Sequence, residues 1–530
     1  MKVKYLPLVL GVLALLFASC DDIAADRIPV YGGPGGGDNG KFYAQNMVNN
    51  KYYELYADKL FDEEDDVDTM CTVWAENGSG VTKEYAVEIA NEYNNRIYPK
   101  MLDAFGDIKS FDDPFTEEKG IAGNTMEFAD YLGNGDGKLC ILLLKTKDGY
   151  NPPKNNSYIA GYFTALNFYR YEPGDYDTYY SNECDMIYLD VKINRPDDEN
   201  GFKKLCGTLA HEMQHLMNFV SSVDKRRSGS RINQMDVWID EGLSSAAEYV
   251  YSGEHNRDRV KWFNDDPSGL IAYGNNFYVW GNYTTGNNAV PDAILDDYAT
   301  VYFFFQWLRL QADGNLDIYK DIIQSSNYDY NAVLSSAKNR INNYSYTEWR
   351  YLLRNWMAAN YSNASSGIYG YRGEEAFSTI RTTVFSGKTP GDQTIQLFPG
   401  EGIFTKSPNM PTAPSINIKY AGLSKTSSPN DANLSGSSAM LSYNIDTKKN
   451  GSASNAVIPL SSLDASQQPK LYMGTTMSPR GITSPQGVLP TDPYPISAGD
   501  MLTINGQEKT DPVFSLSRSQ IIPPGEIVKK

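Results

Sequence analysis

The chain has 530 residues, of which 41% are hydrophobic and 21% are charged, a composition typical of globular proteins rather than disordered or fibrous ones. Its formal net charge is −18, so a basic surface that follows a phosphate backbone is not expected and no nucleic acid partner is predicted. The chain contains only 3 histidines, so a site that needs imidazole must use His211, His215 or His255.

The first residues have the pattern of an export signal. Two lysines precede an apolar run that ends at Phe17 and is too short to cross a bilayer as a helix. The small residues that follow stand directly before Cys20, which resembles a bacterial lipobox, although Phe17 stands where leucine is usual. We predict a signal peptide over residues 1–19, a lipid on Cys20 that anchors the exported protein at the cell envelope or cell surface, and a flexible linker over residues 20–40. An ordinary secretory signal, which would release the protein, is the alternative.

Periodic apolar residues indicate one helix early in the chain. Residues 41–130 are predicted to be mixed but mainly helical, and within them residues 83–106 form an amphipathic helix that ends at Gly106. The residues that indicate this helix recur at a spacing of four: Tyr85, Ile89, Tyr93 and Ile97. Three strands are predicted after it, from a continuous apolar run and two segments that continue the strand pattern: 138–146, 159–169 and 184–193.

The middle of the chain is predicted to be helical. Residues 201–220 have the apolar period of a buried helix, and a polar, basic loop is predicted over residues 221–231. Asp236 then stands where an N-cap would begin a second buried helix, which Gly253 would end. Further helices are predicted at 297–312, 331–341 and 346–361.

The composition of the chain changes near residue 376. Pro, Gly, Ser and Thr dominate from there, and five short strands are predicted at TIQLFPG, SINIKYAG, AMLSYNI, PKLYMG and MLTINGQ. We therefore predict a β-rich C-terminal domain of unknown role over residues 376–530.

Four cysteines remain after Cys20, and none of them stands in CxxC spacing: Cys71, Cys140, Cys184 and Cys206. A zinc ribbon is therefore not favoured. Export would permit one or two disulfides, and buried free thiols agree equally well with this spacing.

The segment His211-Glu212-Met213-Gln214-His215 is an HExxH motif in the middle of the predicted buried helix. Residues four apart on a helix leave the same face about one turn apart, so both imidazoles can reach one Zn²⁺ ion. Glu212 points to one side of that pair, where its carboxylate can take a proton from a water molecule at the metal.

A catalytic zinc ion needs a third protein ligand and an open position for water. Glu241 begins the second buried helix, in the segment WIDEGLSSAAEY, and the small residues after it would let this helix pack closely on the first. That packing would place Glu241 opposite the histidine pair, which makes it the favoured third ligand. His255 is the alternative donor, but it lacks a motif around it, and a surface histidine is favoured for this position.

The segments HEMQHLMNF and WIDEGLSSAAEY resemble the gluzincin metallopeptidases and, among these, the hyicolysin family, over about residues 130–360. The resemblance implies that His211, His215 and Glu241 bind zinc and that Glu212 is the general base and later the proton donor. It also implies an α+β fold: a thermolysin-like zincin catalytic domain with a mixed sheet and a helical subdomain, here over residues 41–375.

The same resemblance suggests roles for further residues. Tyr298 opens a predicted helix at the place where related enzymes carry a tyrosine that holds the oxyanion. Glu248 lies on the same helix face as Glu241, so its carboxylate can brace the site. The segment 184–191 is the candidate edge strand that would pair with an extended substrate.

Two acidic segments have alternative interpretations. NGDGK (134–138) resembles a calcium loop, but a turn that enters a strand is favoured because Leu132 stands where a calcium loop needs a polar ligand. DEEDDVD (62–68) is interpreted as a solvated acidic surface rather than a calcium site.

Together these patterns predict a zinc-dependent endopeptidase of the cell envelope that acts on protein or peptide substrates. Two alternatives stay open at this point. One is a surface lipoprotein with an inactive peptidase fold that acts in binding or adhesion. The other is a zinc aminopeptidase, for which no recognisable acidic motif for a substrate amine is present.

Overall fold

The computed structural model describes most of the chain after residue 39. The described residues are 40–62, 69–106, 138–151, 158–168, 180–194, 198–228, 231–266, 270–272, 274, 277–280, 284–285, 288–289, 294–342, 348–385, 391–448, 453–460 and 516–520. The predicted signal peptide, Cys20, the linker, most of NGDGK and all of DEEDDVD except Asp62 lie outside these residues.

The described residues contain both strands and α-helices. The strands are β1 (Lys41–Asn46), β2 (Lys51–Phe61), β3 (Cys71–Glu76), β4 (Leu139–Leu144), β5 (Ile159–Thr164), β6 (Met186–Asp190), β7 (Arg227–Ser228), β8 (Arg231–Ile232), β9 (Thr284–Thr285), β10 (Asn288–Ala289), β11 (Val384–Phe385), β12 (Gly391–Leu397), β13 (Gly402–Thr405), β14 (Ile418–Leu423), β15 (Ala439–Asn444), β16 (Ser454–Leu460) and β17 (Leu516–Gln520). The helices are α1 (Lys83–Glu92), α2 (Tyr98–Phe105), α3 (Glu199–Lys225), α4 (Val237–Ser252), α5 (Arg257–Asp265), α6 (Ile294–Gln311), α7 (Asp317–Ile323), α8 (Tyr330–Arg340) and α9 (Trp349–Ser362). The chain is therefore an α+β protein, as predicted.

A seven-stranded sheet has the strand order β1-β2-β3-β4-β6-β5-β17. The pairs β3–β4, β4–β6 and β5–β17 are parallel and the other pairs are antiparallel, so the sheet is mixed. Its central strand β4 is buried on both faces, because Cys140, Leu142 and Leu144 belong to one hydrophobic cluster and the alternating residues to another. The three strands predicted from the apolar runs are confirmed as β4, β5 and β6.

The prediction that residues 184–191 form the edge strand is wrong. Strand β6 pairs with β4 on one side and with β5 on the other, so it lies inside the sheet. All five of its residues are buried, which is the pattern of a central strand rather than an edge strand. Strand β5 lies between β6 and β17, and it packs against α3, where a Cβ added to Gly161 would meet the Thr208 side chain at 2.7 Å.

The prediction that residues 41–130 are mainly helical is wrong for their first part. Strands β1, β2 and β3 occupy it, and in β2 the buried residues Leu55 and Ala57 alternate with exposed neighbours, as in a half-buried strand. The helix predicted over residues 83–106 is confirmed with one irregularity. A π-helical segment, Tyr93–Ile97, separates α1 from α2. Pro99 stands in the first turn of α2 and lacks an N–H, so the wider turn before it avoids a clash with its ring.

Helices α3 and α4 form the centre of the second half of the fold. Helix α3 continues to Lys225, so the predicted loop over 221–231 begins later than expected and includes the short strands β7 and β8. Helix α4 begins after Asp236 and ends at Gly253, which has the left-handed φ of 73°. Helices α6, α8 and α9 match the three further predicted helices, whereas α5 and α7 were not predicted.

Three of the five strands predicted after residue 376 are present as β12, β14 and β15. The other two, PKLYMG and MLTINGQ, lie outside the described residues. Strands β11, β13, β15 and β14 form one sheet, and Leu441 and Tyr443 of β15 belong to the same hydrophobic cluster as Trp356 of α9. The boundary at residue 375 stays a prediction.

Cys71, Cys140, Cys184 and Cys206 are buried free thiols. Burial raises the pKa of Cys206 to about 12, so this thiol stays protonated at neutral pH. Among the helices of the described residues, none combines the length and apolar character that a membrane span needs.

Candidate metal centre

Two imidazoles of α3 lie side by side in the interior of the protein. His211 and His215 are fully buried, and the centroids of their rings are 4.9 Å apart. Because they are four residues apart on one helix, both side chains leave the same face of α3.

Glu241 of α4 faces this pair of imidazoles. Its Oε2 lies 3.5 Å from His211 Nε2 and 3.6 Å from His215 Nε2. Ligand atoms of the three residues all lie within 4.8 Å of one another. The structure therefore brings together the three residues that the sequence suggested as zinc ligands.

The residues present fit a zinc ion. His211 Nε2, His215 Nε2 and Glu241 Oε2 are buried, and none of these three atoms has a hydrogen-bond partner among the described residues. Buried polar atoms are rarely left without a partner, and two imidazole nitrogens with one carboxylate oxygen are a donor set that zinc prefers in hydrolytic sites.

The charges in the site agree with a cation between these groups. Burial raises the pKa of Glu241, but the nearby histidines outweigh that effect and lower the pKa to about 2, so this carboxylate is ionised. Burial lowers the pKa of His211, yet the carboxylates of Glu241 and Glu248 leave it above its ordinary value. The site is thus strongly favourable to positive charge.

Each histidine is oriented from behind by a carboxylate. His211 Nδ1 donates to Glu248 Oε1 at 2.9 Å, and His215 Nδ1 lies 3.0 Å from Asp240 Oδ2. A carboxylate only accepts, so these contacts place the proton of a neutral imidazole on Nδ1 and leave the Nε2 lone pair for a metal.

Asp240 was not singled out in the sequence. It directly precedes Glu241 in α4, so the acidic pair in WIDEG was the available signal. Ser244, one turn later, has its Oγ 3.0 Å from His215 Nδ1 and also hydrogen-bonds Gln214. Both residues fix His215 against α4.

Glu212 and Tyr298 lie beside the three candidate ligands. Glu212 is fully buried, and Tyr298 is 4% exposed. Burial raises the pKa of Tyr298 well above its ordinary value, and the charges of Glu241 and Glu212 raise it further, while the charge of Arg259 lowers it less than these effects raise it. The Tyr298 hydroxyl therefore stays protonated at neutral pH and can donate a hydrogen bond. The Arg259 guanidinium lies 4.6 Å from the centre of the Tyr298 ring.

Trp238 positions the start of α4. It is one of the largest fully buried side chains and contacts a group of aromatic rings from three further parts of the chain: Phe277, Tyr278, Phe304, Phe305 and Trp349. Glu241 follows one turn later on the same helix. The packing of Trp238 therefore fixes the position of the Glu241 carboxylate along the α4 axis relative to α3.

The expectation that His255 is a surface histidine is wrong. Its side chain is 9% exposed, its Nδ1 lies 2.8 Å from the Tyr302 hydroxyl, and its Nε2 lies 3.1 Å from Glu374 Oε1. Its ring also stacks on Tyr249. Among the described residues, the group that could hold a metal ion consists of His211, His215 and Glu241 and does not include His255.

The chain has sequence similarity to a known metalloprotease. It is 27% identical over 304 residues to the neutral metalloprotease ShpI of Staphylococcus hyicus, which covers 57% of this chain and 58% of that protein. The chain thus matches somewhat more than half the length of this relative. No protein-family model matches the chain. The chain is therefore related in sequence to a metalloprotease.

Proposed function

We propose that this protein is a zinc-dependent endopeptidase that hydrolyses peptide bonds in proteins or peptides. The proposal is supported most directly by the convergence of His211, His215 and Glu241 beside the buried carboxylate of Glu212. The similarity to a neutral metalloprotease supports the same reaction class.

The donor atoms of this site would be His211 Nε2, His215 Nε2 and an oxygen of Glu241. Zinc bound there would supply Lewis acidity, which polarises the scissile carbonyl and makes a water molecule acidic. Glu212 accepts the proton of the attacking water and returns it to the departing amine. Glu212 directly follows His211 on α3 and is fully buried, which supports this role.

Tyr298 is the proposed donor to the developing oxyanion. Its buried hydroxyl remains protonated and lies close enough to Glu241 for that charge to raise its pKa, which supports this role. A donor that is already in place stabilises the new negative charge without reorganisation during the reaction.

The remaining sequence predictions belong to the same proposal. The catalytic unit is a thermolysin-like zincin of the hyicolysin type over residues 41–375, followed by a β-rich domain over residues 376–530. The signal peptide over residues 1–19 directs export, and a lipid on Cys20 anchors the protein at the cell envelope.

The test is hydrolysis of internally quenched peptides, with and without a blocked N-terminus, by full-length protein. We expect cleavage of both substrates, loss of activity with a zinc chelator, and recovery with about one equivalent of zinc per chain. Cleavage of the unblocked peptide alone would indicate an aminopeptidase. Purified protein that holds well under about one zinc per chain and cleaves neither peptide would contradict the proposal and favour a binding protein.

A further inference from the structure

A buried chain of polar groups continues outward from His215, on the side away from Glu241. It contains Asp240, Asn218 and Arg226, which are 1%, 1% and 3% exposed. Asp240 Oδ2 contacts His215 Nδ1, and the other oxygen, Oδ1, accepts a hydrogen bond of 2.5 Å from Asn218 Nδ2. Asn218 Oδ1 in turn accepts from Arg226 Nη2 at 3.0 Å.

The orientation of the Asn218 amide follows from its two neighbours. Asp240 can only accept hydrogen bonds and Arg226 can only donate them. An amide can donate to the first through its nitrogen and accept from the second through its oxygen, whereas an ionised carboxylate or an apolar side chain cannot do both. Asn218 lies one turn after His215 on α3, so it reaches Asp240 of α4 from the same helix face.

Arg226 is held firmly at the end of this chain. Its Nη1 donates to the backbone carbonyls of Ile323 and Ser325 at 2.7 and 3.0 Å, and its Nη2 also donates to Ser222 Oγ. Burial lowers the pKa of Arg226 to about 10 while Asp240 opposes that shift, so the guanidinium is charged at neutral pH. A fixed cation therefore stands behind the carboxylate that orients His215.

We propose that Asn218 and Arg226 are positioning residues for the metal: they hold Asp240 in the orientation that fixes the His215 ring for zinc. The inference rests on the zinc site of the proposed function. Among the described residues, the side-chain hydrogen bonds of Asn218 go to Asp240 and Arg226 and not to the candidate ligands, so its effect passes through Asp240. Groups that orient ligands in this way typically change metal affinity about 10- to 100-fold when they are removed.

The test measures the zinc dissociation constant of metal-stripped, full-length variants by competition with a chromogenic chelator at fixed pH. Asn218→Asp places a carboxylate against Asp240, and we expect the dissociation constant to rise about 10- to 100-fold. Asn218→Ala, which adds no charge, serves as a second variant. We expect its zinc dissociation constant to rise by at least about tenfold. In the exchanged pair Asn218→Asp/Asp240→Asn, the amide at position 240 can donate to the carboxylate at position 218, so one donor again faces one acceptor. We expect its zinc dissociation constant to stay within about fivefold of the wild-type value.

Ser221→Ala is the matched control. Ser221 is buried in the same turn of α3 and donates to the Ile323 carbonyl that Arg226 also contacts, but it takes no part in the chain to His215. We expect it to lower the melting temperature while its zinc dissociation constant stays within about twofold of wild type. The melting temperature of each metal-free variant is measured in parallel.

Unchanged zinc affinity in both Asn218 variants, or an exchanged pair no better than Asn218→Asp, would overturn this inference alone. Normal zinc binding by a wild-type protein that hydrolyses no peptide would overturn the proposed function alone. A wild-type protein that binds no zinc would overturn both.

Discussion

The surroundings of Tyr298 keep its phenolic hydroxyl protonated, so that it can donate a hydrogen bond. It is buried beside Glu241 and Glu212, and both carboxylates oppose its ionisation. Tyr302 lies one turn later on α6 and is also buried, but its hydroxyl contacts His255 and the backbone N–H of Asn256 instead. The two tyrosines therefore form a natural pair for comparison.

We expect Tyr298→Phe to lower kcat for peptide hydrolysis about 100-fold with little change in KM, because the hydroxyl would stabilise charge that exists only in the transition state. Tyr302→Phe should change kcat by less than about threefold, since its hydroxyl bonds His255 and the backbone N–H of Asn256, which are outside the group of candidate ligands. Steady-state kinetics on a quenched peptide provides the measurement. Equal effects of the two substitutions would assign Tyr298 a structural role.

Part of the site could be predicted from residue order and part could not. The spacing of His211 and His215 places them on one helix face wherever that helix lies, so their proximity follows from local geometry. The contacts of Asp240 with His215 and Asn218 depend on the rotation of α4 relative to α3. Tertiary packing decides that rotation, and no short sequence pattern reports it.

At the scale of elements, the close approach of α4 to α6 depends on one glycine. A Cβ added to Gly242 would lie 2.3 Å from Phe305 Cε2 and 2.9 Å from Val301 Cγ2. Gly207 is also inside a helix, α3, but a Cβ added there would have no neighbour within 4 Å. A glycine-to-alanine substitution would therefore clash with an aromatic ring at position 242 and would have free space at position 207.

We expect Gly242→Ala to lower the free energy of unfolding by about 1–3 kcal/mol, because the overlap with Phe305 outweighs the helix propensity gained. Gly207→Ala should raise it by about 0.5–1 kcal/mol, since there the gain is unopposed. Chemical denaturation followed by circular dichroism measures both. If Gly242→Ala proved as stable as Gly207→Ala, the packing described for α4 would be contradicted.

Element type was predictable where the apolar pattern was strong, and less so elsewhere. Helix α3 and strand β4 have clear periods, and both were predicted. Strand β2 contains Lys, Glu and Asp among its apolar residues, so its alternation was too weak to separate it from a helix. The interior position of β6 follows from its pairing with β4 and β5, which is a property of the whole sheet.

At the scale of the whole molecule, one hydrophobic cluster connects the metal-site helices with the strands after residue 376. Leu441 of β15 and Trp356 of α9 both belong to it, and a Cβ added to Gly402 of β13 would meet Met357 Sδ at 2.5 Å. Met440, the neighbour of Leu441, belongs instead to a small cluster with Ile403. The neighbouring residues Met440 and Leu441 of β15 thus belong to two different hydrophobic clusters.

We expect Leu441→Ala to destabilise the protein by about 2–5 kcal/mol and to lower the melting temperature reported by tryptophan fluorescence. All 7 tryptophans precede residue 376, so this signal reports on the part that carries the metal site. Met440→Ala removes a similar volume from the other cluster and should shift the tryptophan transition less. A tryptophan transition that Leu441→Ala leaves unchanged would show that the two parts unfold independently.

The central claim is that His211, His215 and Glu241 hold a zinc ion at which Glu212 acts as the base. The most direct test is the rate of peptide hydrolysis per bound zinc in Glu212→Gln, compared with wild type. We predict about one zinc per chain in both proteins and a rate at least about 1000-fold lower in the variant, because the amide cannot accept the proton of the attacking water. A zinc-loaded Glu212→Gln protein that cleaves at the wild-type rate would contradict the mechanism.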